Sequence, residues 1–155
     1  MLEAGGEAVR IVIGCDHAGF ELKQFVKERL LSWGHEVQDV GTYSEASVDY
    51  PDFARAACRE LLSGGAERGV LVCGSGVGMS MAANRHRGVR AVLCTDLYLA
   101  RYSRLHNDAN VLCLPGRLMG KGLCEEVLKV WLETPFEGGR HERRVRKLDD
   151  EGGAP

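Results

Sequence analysis

The chain has 155 residues, 45% of them apolar and 27% charged, with a formal net charge of −2. That length suits one domain with a substantial core, and the balanced charge excludes the strong field of a nucleic-acid or anionic-membrane binder. No apolar run approaches the roughly 20 residues that span a bilayer, and MLEAGGEA at the start lacks the basic-then-apolar pattern of a secretory signal.

From residue 9 onward, short apolar runs alternate with helical patterns. VRIVIGC (9–15) predicts a first strand, closed by Asp16, His17 and Gly19. Leu22, Phe25, Val26, Leu30 and Trp33 then recur at helical spacing until Gly34. HEVQDV (35–40) predicts a weaker strand, and GTYSEASVDYP (41–51) a loop closed by Pro51. Phe53, Ala54, Ala57, Cys58, Leu61 and Leu62 form the next helical stripe, ended by Gly64 and Gly65. GVLVC (69–73) is the third strand, residues 77–86 a short helix, and VRAVLC (89–94) the fourth strand. A helix from Leu97 to Leu105 follows the caps Thr95 and Asp96. NVLCL (110–114) is the fifth strand, and Leu123, Val127, Val130 and Trp131 mark another helix. The basic run RHERRVRKL (140–148) follows a Gly138–Gly139 break. Residues 1–8 and 149–155 are expected to be flexible extensions of a single domain at 9–148.

Cys15, Cys73, Cys94 and Cys113 fall at strand-like runs, and Cys58 and Cys124 in helical ones. No CxxC pair or zinc-like spacing exists, so the reading is free thiols in a reduced, cytoplasmic protein. Strands that are apolar throughout are buried on both faces. The fold class is therefore α/β: a Rossmann-like, doubly wound, five-stranded parallel sheet with helices on both faces and a C-terminal basic helix. Ligands of such sheets bind outside the carboxyl ends of the strands, at the topological switch point.

That edge receives Asp16 and His17 from the first strand, Cys73 and the loop Gly74–Ser75–Gly76–Val77–Gly78 from the third, and Pro115, Gly116 and Arg117 from the fifth. In the common strand order 2-1-3-4-5, strands one and three flank the switch point. The glycines let backbone amides approach a negative oxygen, and the following helix adds its positive end. A helix N-terminus also favours a thiolate, which serves as nucleophile or base. Cys73 reads equally well as a small core residue at a strand end. The dinucleotide fingerprint is incomplete: Met79 stands where the third glycine belongs, although Asp96 follows at the ribose-binding distance. There is no Walker lysine.

LHNDAN (105–110) carries His106 and Asn107, or is a polar helix end capped by Asn107 or Asp108. Arg140, His141 and Arg144 lie on the basic segment. The two arginines, four apart, either grip a phosphate together or line a solvated helix face. Strands leave the sheet at the carboxyl edge and helices return to the other. His106 and the segment at 134–148 therefore do not easily reach their own crevice, and a second subunit is expected to supply them.

GCDHAGFELK, DYPDFA (49–54), VCGSGVGMSMAAN (72–84), SRLHNDANVL (103–112), PGR (115–117) and EGGRHERRV (137–145) together resemble the type B ribose-5-phosphate isomerases. Their family also holds galactose-6-phosphate isomerase subunits. The resemblance spans roughly residues 9–148. It implies metal- and cofactor-free interconversion of D-ribose 5-phosphate and D-ribulose 5-phosphate through a cis-enediolate, by a homodimer or dimer of dimers with shared sites. It implies Cys73 as the base, Ser75 as a proton shuttle, and the amides of Gly74, Ser75, Gly76, Val77 and Gly78 with Asn107 as the anion hole. His106 becomes the ring-opening acid, with Asp16 near the ring oxygen or hydroxyls. His17, Arg117, Arg140, His141 and Arg144 contact sugar and phosphate, and Tyr50 lies at the rim. Some relatives replace the cysteine with a later glutamate; here that position is Met79. The alternatives are an isomerase of a six-carbon sugar phosphate (allose or galactose 6-phosphate) or a free aldose, and a non-catalytic nucleotide-binding module. Neither nucleic acid nor membrane is expected as a partner.

Overall fold

The structure, a computed structural model, describes residues 7–150. The expectations for 1–6 and 151–155 lie outside the described residues. β1 (Arg10–Cys15) leads through a 3-10 turn (His17–Gly19) into α1 (Phe20–Ser32) and β2 (Glu36–Asp39). α2 (Tyr50–Leu62), β3 (Arg68–Cys73), α3 (Val77–Ala83), β4 (Ala91–Leu93) and α4 (Leu97–Leu105) follow. β5 (Val111–Pro115), α5 (Lys121–Glu133) and the basic helix α6 (Arg140–Arg146) complete the chain. Several boundaries differ from the sequence pattern, among them that of β4, which shortens from 89–94 to Ala91–Leu93. Pro51 does not close a loop; it sits in the first turn of α2, where its missing N–H costs no hydrogen bond. α3 stops at Ala83, and its carbonyls are met by a turn running to Val89.

The sheet is wholly parallel, with strand order β2-β1-β3-β5-β4. β5 thus lies inside β4, the reverse of the 2-1-3-4-5 order. The reason is burial: all five residues of β5 are buried, whereas the three of β4 are only half-buried. A strand that is apolar on both faces belongs in the interior. Side chains alternate between two cores with the strand period of two. Ile11, Ile13, Val70, Val72, Leu112 and Leu114 face α1, α4 and α5 around Trp131. Val12, Leu71, Cys73, Val111 and Cys113 face α2 and α3. At the sheet edge, the Asn84 side chain donates to the Ala91 carbonyl at 2.9 Å and accepts from the Ala91 N–H at 2.8 Å.

A lysine breaks the apolar pattern of the first helix. Lys23 is fully buried on α1. Its Nζ meets Asp39 Oδ1 at 2.8 Å and the Thr42 carbonyl at 2.5 Å, and lies 5.2 Å from the centre of the Tyr43 ring. Asp39 Oδ1 also accepts from the Gly41 N–H at 2.9 Å. The ammonium therefore ties the end of β2 and the start of the 41–49 loop to the first helix.

Breaking a buried pair strands the other charge, at a cost of about 3–5 kcal/mol. Lys23→Met is expected near the low end, about 3 kcal/mol, because Lys27 remains 3.4 Å from the same carboxylate. Urea unfolding measures it; a change under about 0.5 kcal/mol, the ordinary surface value, would remove the clamp from the account.

Candidate active site

The strand register brings three carboxyl ends level, pairing Cys15 with Val72 and Cys73 with Pro115. The loops that leave them meet backbone to backbone. The Asp16 N–H donates to the Val72 carbonyl at 3.2 Å, the Gly116 N–H to the Cys73 carbonyl at 2.8 Å, and the Arg117 N–H to the Gly74 carbonyl at 3.0 Å. A methyl group on Gly19 would collide with the Val72 carbonyl, and one on Gly116 would lie 2.8 Å from the Ala18 carbonyl oxygen. Glycine is needed at both, because the chains touch where side chains would be.

These loops enclose a cleft of about 500 Å³ lined by Asp16, His17, Tyr50, Cys73, Gly74 and Arg117, with Ala18, Ser75, Gly78 and Leu118. Asp16 is buried, and its Oδ1 accepts from the N–H groups of Ala18 and Gly19 at 3.0 and 3.1 Å. This caps the short turn and fixes the carboxylate in the wall. His17 Nδ1 accepts from the Val48 N–H at 3.2 Å. A neutral ring then carries its proton on Nε2, as a hydrogen-bond donor. Tyr50 opens α2, and its ring covers Gly78, where a Cβ would lie 2.8 Å from the ring carbon Cζ. The Arg117 side chain runs over Gly74.

Gly76, at φ 77°, turns the cradle into α3, and a Cβ there would press on Leu93 at 2.5 Å. Ser75 is exposed, and its Oγ accepts from the Val77 N–H at 3.2 Å. One amide of the cradle is thus already engaged by the serine beside it. α3 is only seven residues long, so the loop amides themselves supply much of the positive end.

Cys73 is the one thiol in the cleft lining. The other five cysteines are buried and free. Burial pushes the thiols of Cys15 and Cys58 up to about 11 and those of Cys94 and Cys124 to about 12, and holds Cys113 well above the ordinary range.

The remaining expected site residues gather elsewhere. His106 ends α4 and stacks on His141 of α6, with ring centres 4.1 Å apart and planes within 10°. Tyr102 meets His106 edge-on at 4.9 Å. His141 is buried, and burial, followed by the charge of His106 and Arg140, lowers its pKa. Glu137, which the sequence pattern did not single out, stands 3.8 Å from the Nε2 of each histidine. Asn107, Arg140 and Arg144 are exposed. None of His106, Asn107, Arg140, His141 and Arg144 lines the cleft of its own chain. Asp108, left-handed at φ 48°, anchors the helix end through Arg104 at 3.0 Å and Arg90 at 3.4 Å. Asn110, like Asp108 a residue of LHNDAN, also holds the fold, its side chain accepting from the Arg90 N–H at 2.7 Å and donating to the Gly88 carbonyl at 2.9 Å.

A family model described as Ribose/Galactose Isomerase matches residues 11–148. Ribose-5-phosphate isomerase B of Escherichia coli (strain K12) is 43% identical over 139 residues, covering 90% of this chain and 93% of that protein. A galactose-6-phosphate isomerase subunit of Clostridium acetobutylicum is 41% identical over 141 residues, covering 91% and 82%. The crystal structure of a ribose 5-phosphate isomerase from Thermotoga maritima superposes with a TM-score of 0.91 at 56% identity, covering 93% and 99%.

Thiolates, not thiols, are alkylated. The other five thiols are raised and stay protonated near pH 8, and Cys73 alone lines the cleft, so brief iodoacetamide treatment of the folded protein is expected to label Cys73 alone. Peptide mapping checks this, and labelling of any other cysteine at a similar rate would contradict it.

Proposed function

The chain belongs to the ribose/galactose isomerase family, and on that premise we propose that it interconverts D-ribose 5-phosphate and D-ribulose 5-phosphate through a cis-enediolate. The observation that carries the reading is the placement of one thiol, Cys73, in a cleft beside a glycine cradle, with an acid, an imidazole and an arginine around it. Cys73 takes the proton from one carbon of the substrate and returns it to the neighbour. The amides of Gly74, Ser75, Gly76, Val77 and Gly78, with Asn107, stabilise the oxygens on which charge develops. Ser75 shuttles the hydroxyl proton through its O–H and its second lone pair, which the Val77 N–H leaves open. Asp16 offers its second oxygen to the sugar ring or hydroxyls. His17 donates through Nε2, Arg117 flanks the phosphate, and Tyr50 closes the rim.

His106 opens the furanose ring, and Arg140, His141 and Arg144 complete the phosphate site. Because these residues lie off the cleft of their own chain, the working unit is a homodimer in which each copy completes the other's site. The setting is cytoplasmic carbohydrate metabolism, in the pentose phosphate pathway. Among the described residues, no helix is long and apolar enough to cross a membrane.

The direct test is conversion of ribose 5-phosphate by the purified protein with chelator present. Conversion is expected. Its absence, with turnover of galactose or allose 6-phosphate instead, would move the substrate to six carbons, as the galactose-6-phosphate isomerase relative suggests. Cys73→Ala is expected to lower kcat by at least about 10²-fold, the smaller end of a general base's contribution, with little change in KM. Arg140→Ala and Arg144→Ala are expected to raise KM, each removing a charge-assisted contact worth about 1.5–3 kcal/mol. Mixed refolding of Cys73→Ala with His106→Asn tests the sharing. Half the dimers are then hybrid with one intact site each, so about a quarter of wild-type activity returns. No recovery would place both residues in one chain's site.

A further inference from the structure

We propose that His106, Glu137 and His141 form a binding site for a divalent transition-metal ion such as Zn²⁺, and that filling it switches the isomerase off. One ligand atom from each residue lies within 4.8 Å of the others. His141 is only 5% exposed, and its Nε2 has no hydrogen-bond partner. The Glu137 oxygens that face the two Nε2 atoms stand 3.8 Å away, too far for hydrogen bonds. A buried polar atom is normally satisfied, and the unmet nitrogen has the Glu137 carboxylate 3.8 Å away and the stacked ring of His106 beside it. The Glu137 backbone is held in place, its N–H donating to the Leu105 carbonyl at the end of α4 at 3.0 Å.

Two imidazoles and a carboxylate suit borderline ions, whereas Mg²⁺ and Ca²⁺ prefer all-oxygen sites. Bonds of about 2.0–2.1 Å at tetrahedral angles put donors about 3.3 Å apart. One carboxylate oxygen must therefore close on both nitrogens, by about half an ångström on the one it faces and by more on the other. The stacked rings must also tilt, because parallel lone pairs do not converge on one ion. His141 is fixed by burial, while His106 and Glu137 are partly or largely exposed and free to turn toward it. The ion replaces the ring stack, and a water takes the open fourth position. Arg140 and Arg144 lie close by on α6 and oppose a cation, so micromolar affinity is expected.

The inhibitory half rests on the reading of His106 as the ring-opening acid. A nitrogen whose lone pair is held by a metal cannot carry the proton that step needs. The binding half is independent of that reading.

Co²⁺ titration of the full chain, followed by visible absorption, separates the two. One equivalent per chain is expected to give the strong band of tetrahedral cobalt, displaced by Zn²⁺ and lost in both Glu137→Gln and His141→Gln. Under Zn²⁺, turnover of ribose 5-phosphate is expected to fall more than tenfold in the wild type, to recover with chelator, and to fall less than twofold in Glu137→Gln. No band in the wild type, a band that survives both substitutions, or a sulfur-to-cobalt band marking Cys73 would overturn the site. A bound metal that leaves turnover unchanged would overturn the inhibition. Failure to turn over ribose 5-phosphate in chelator would strike the reading of function and leave the cobalt result standing.

Discussion

The close approach of three backbones at the carboxyl edge of the sheet is the constraint on which the rest depends. Neighbouring strands lie about 4.8 Å apart, and their exit loops must pass each other without side chains between them. Gly19 against Val72 and Gly116 against Ala18 make that passage possible. Hydrogen bonds from Asp16, Gly116 and Arg117 then lock the loops together. The rim is thus positioned by main chain, and Asp16, Cys73 and Arg117 ride on it. A site held this way keeps its geometry when a surface side chain changes, and loses it when a methyl group is added at Gly19 or Gly116.

Much of this was legible in the residues, and the illegible parts have physical reasons. The strands of the sheet stood out because apolar runs such as VRIVIGC and NVLCL can only be buried. The helix Leu97–Leu105 was legible to the residue because Asp96 caps it, accepting from the Leu99 N–H. Strand order was not, because it turns on how deeply two short strands are buried, and VRAVLC reads as apolar as its neighbour. Lys23 was hidden because a lysine in a helical stripe reads as solvent-facing. Its partner Asp39 is 16 positions away on another element. Glu137 gave no signal, being one acid beside a basic run.

The site shows the same division. Glycines and a thiol after a strand announce the cradle locally, and the fold delivers Cys73, Ser75, Asp16, His17, Tyr50 and Arg117 to one cleft. The return of helices to the opposite edge was equally legible, and it keeps His106, Arg140, His141 and Arg144 away from that cleft. What no local pattern contained was how those distant residues arrange among themselves. The stacking of His106 on His141 joins the end of α4 to α6, helices separated by β5 and α5 in the chain. All six thiols are buried, and Cys73, packed in the same core as Cys58 and Cys113, is set apart by also lining the cleft.

The pairing of Asn84 with Ala91 has a consequence for the protein in a crowded solution. An open sheet ends in a strand whose outward amides and carbonyls invite another chain to dock and extend it. In β4, residues alternate between facing β5 and facing out, and Arg90 and Cys94 bond toward β5. Ala91 and Leu93 therefore face outward. The carboxamide of Asn84 occupies both polar groups of Ala91, as a peptide of a sixth strand would. That leaves Leu93 as the remaining outward-facing residue of a three-residue strand. A single residue is too short a template for a foreign strand, so this edge is guarded against aggregation by one side chain.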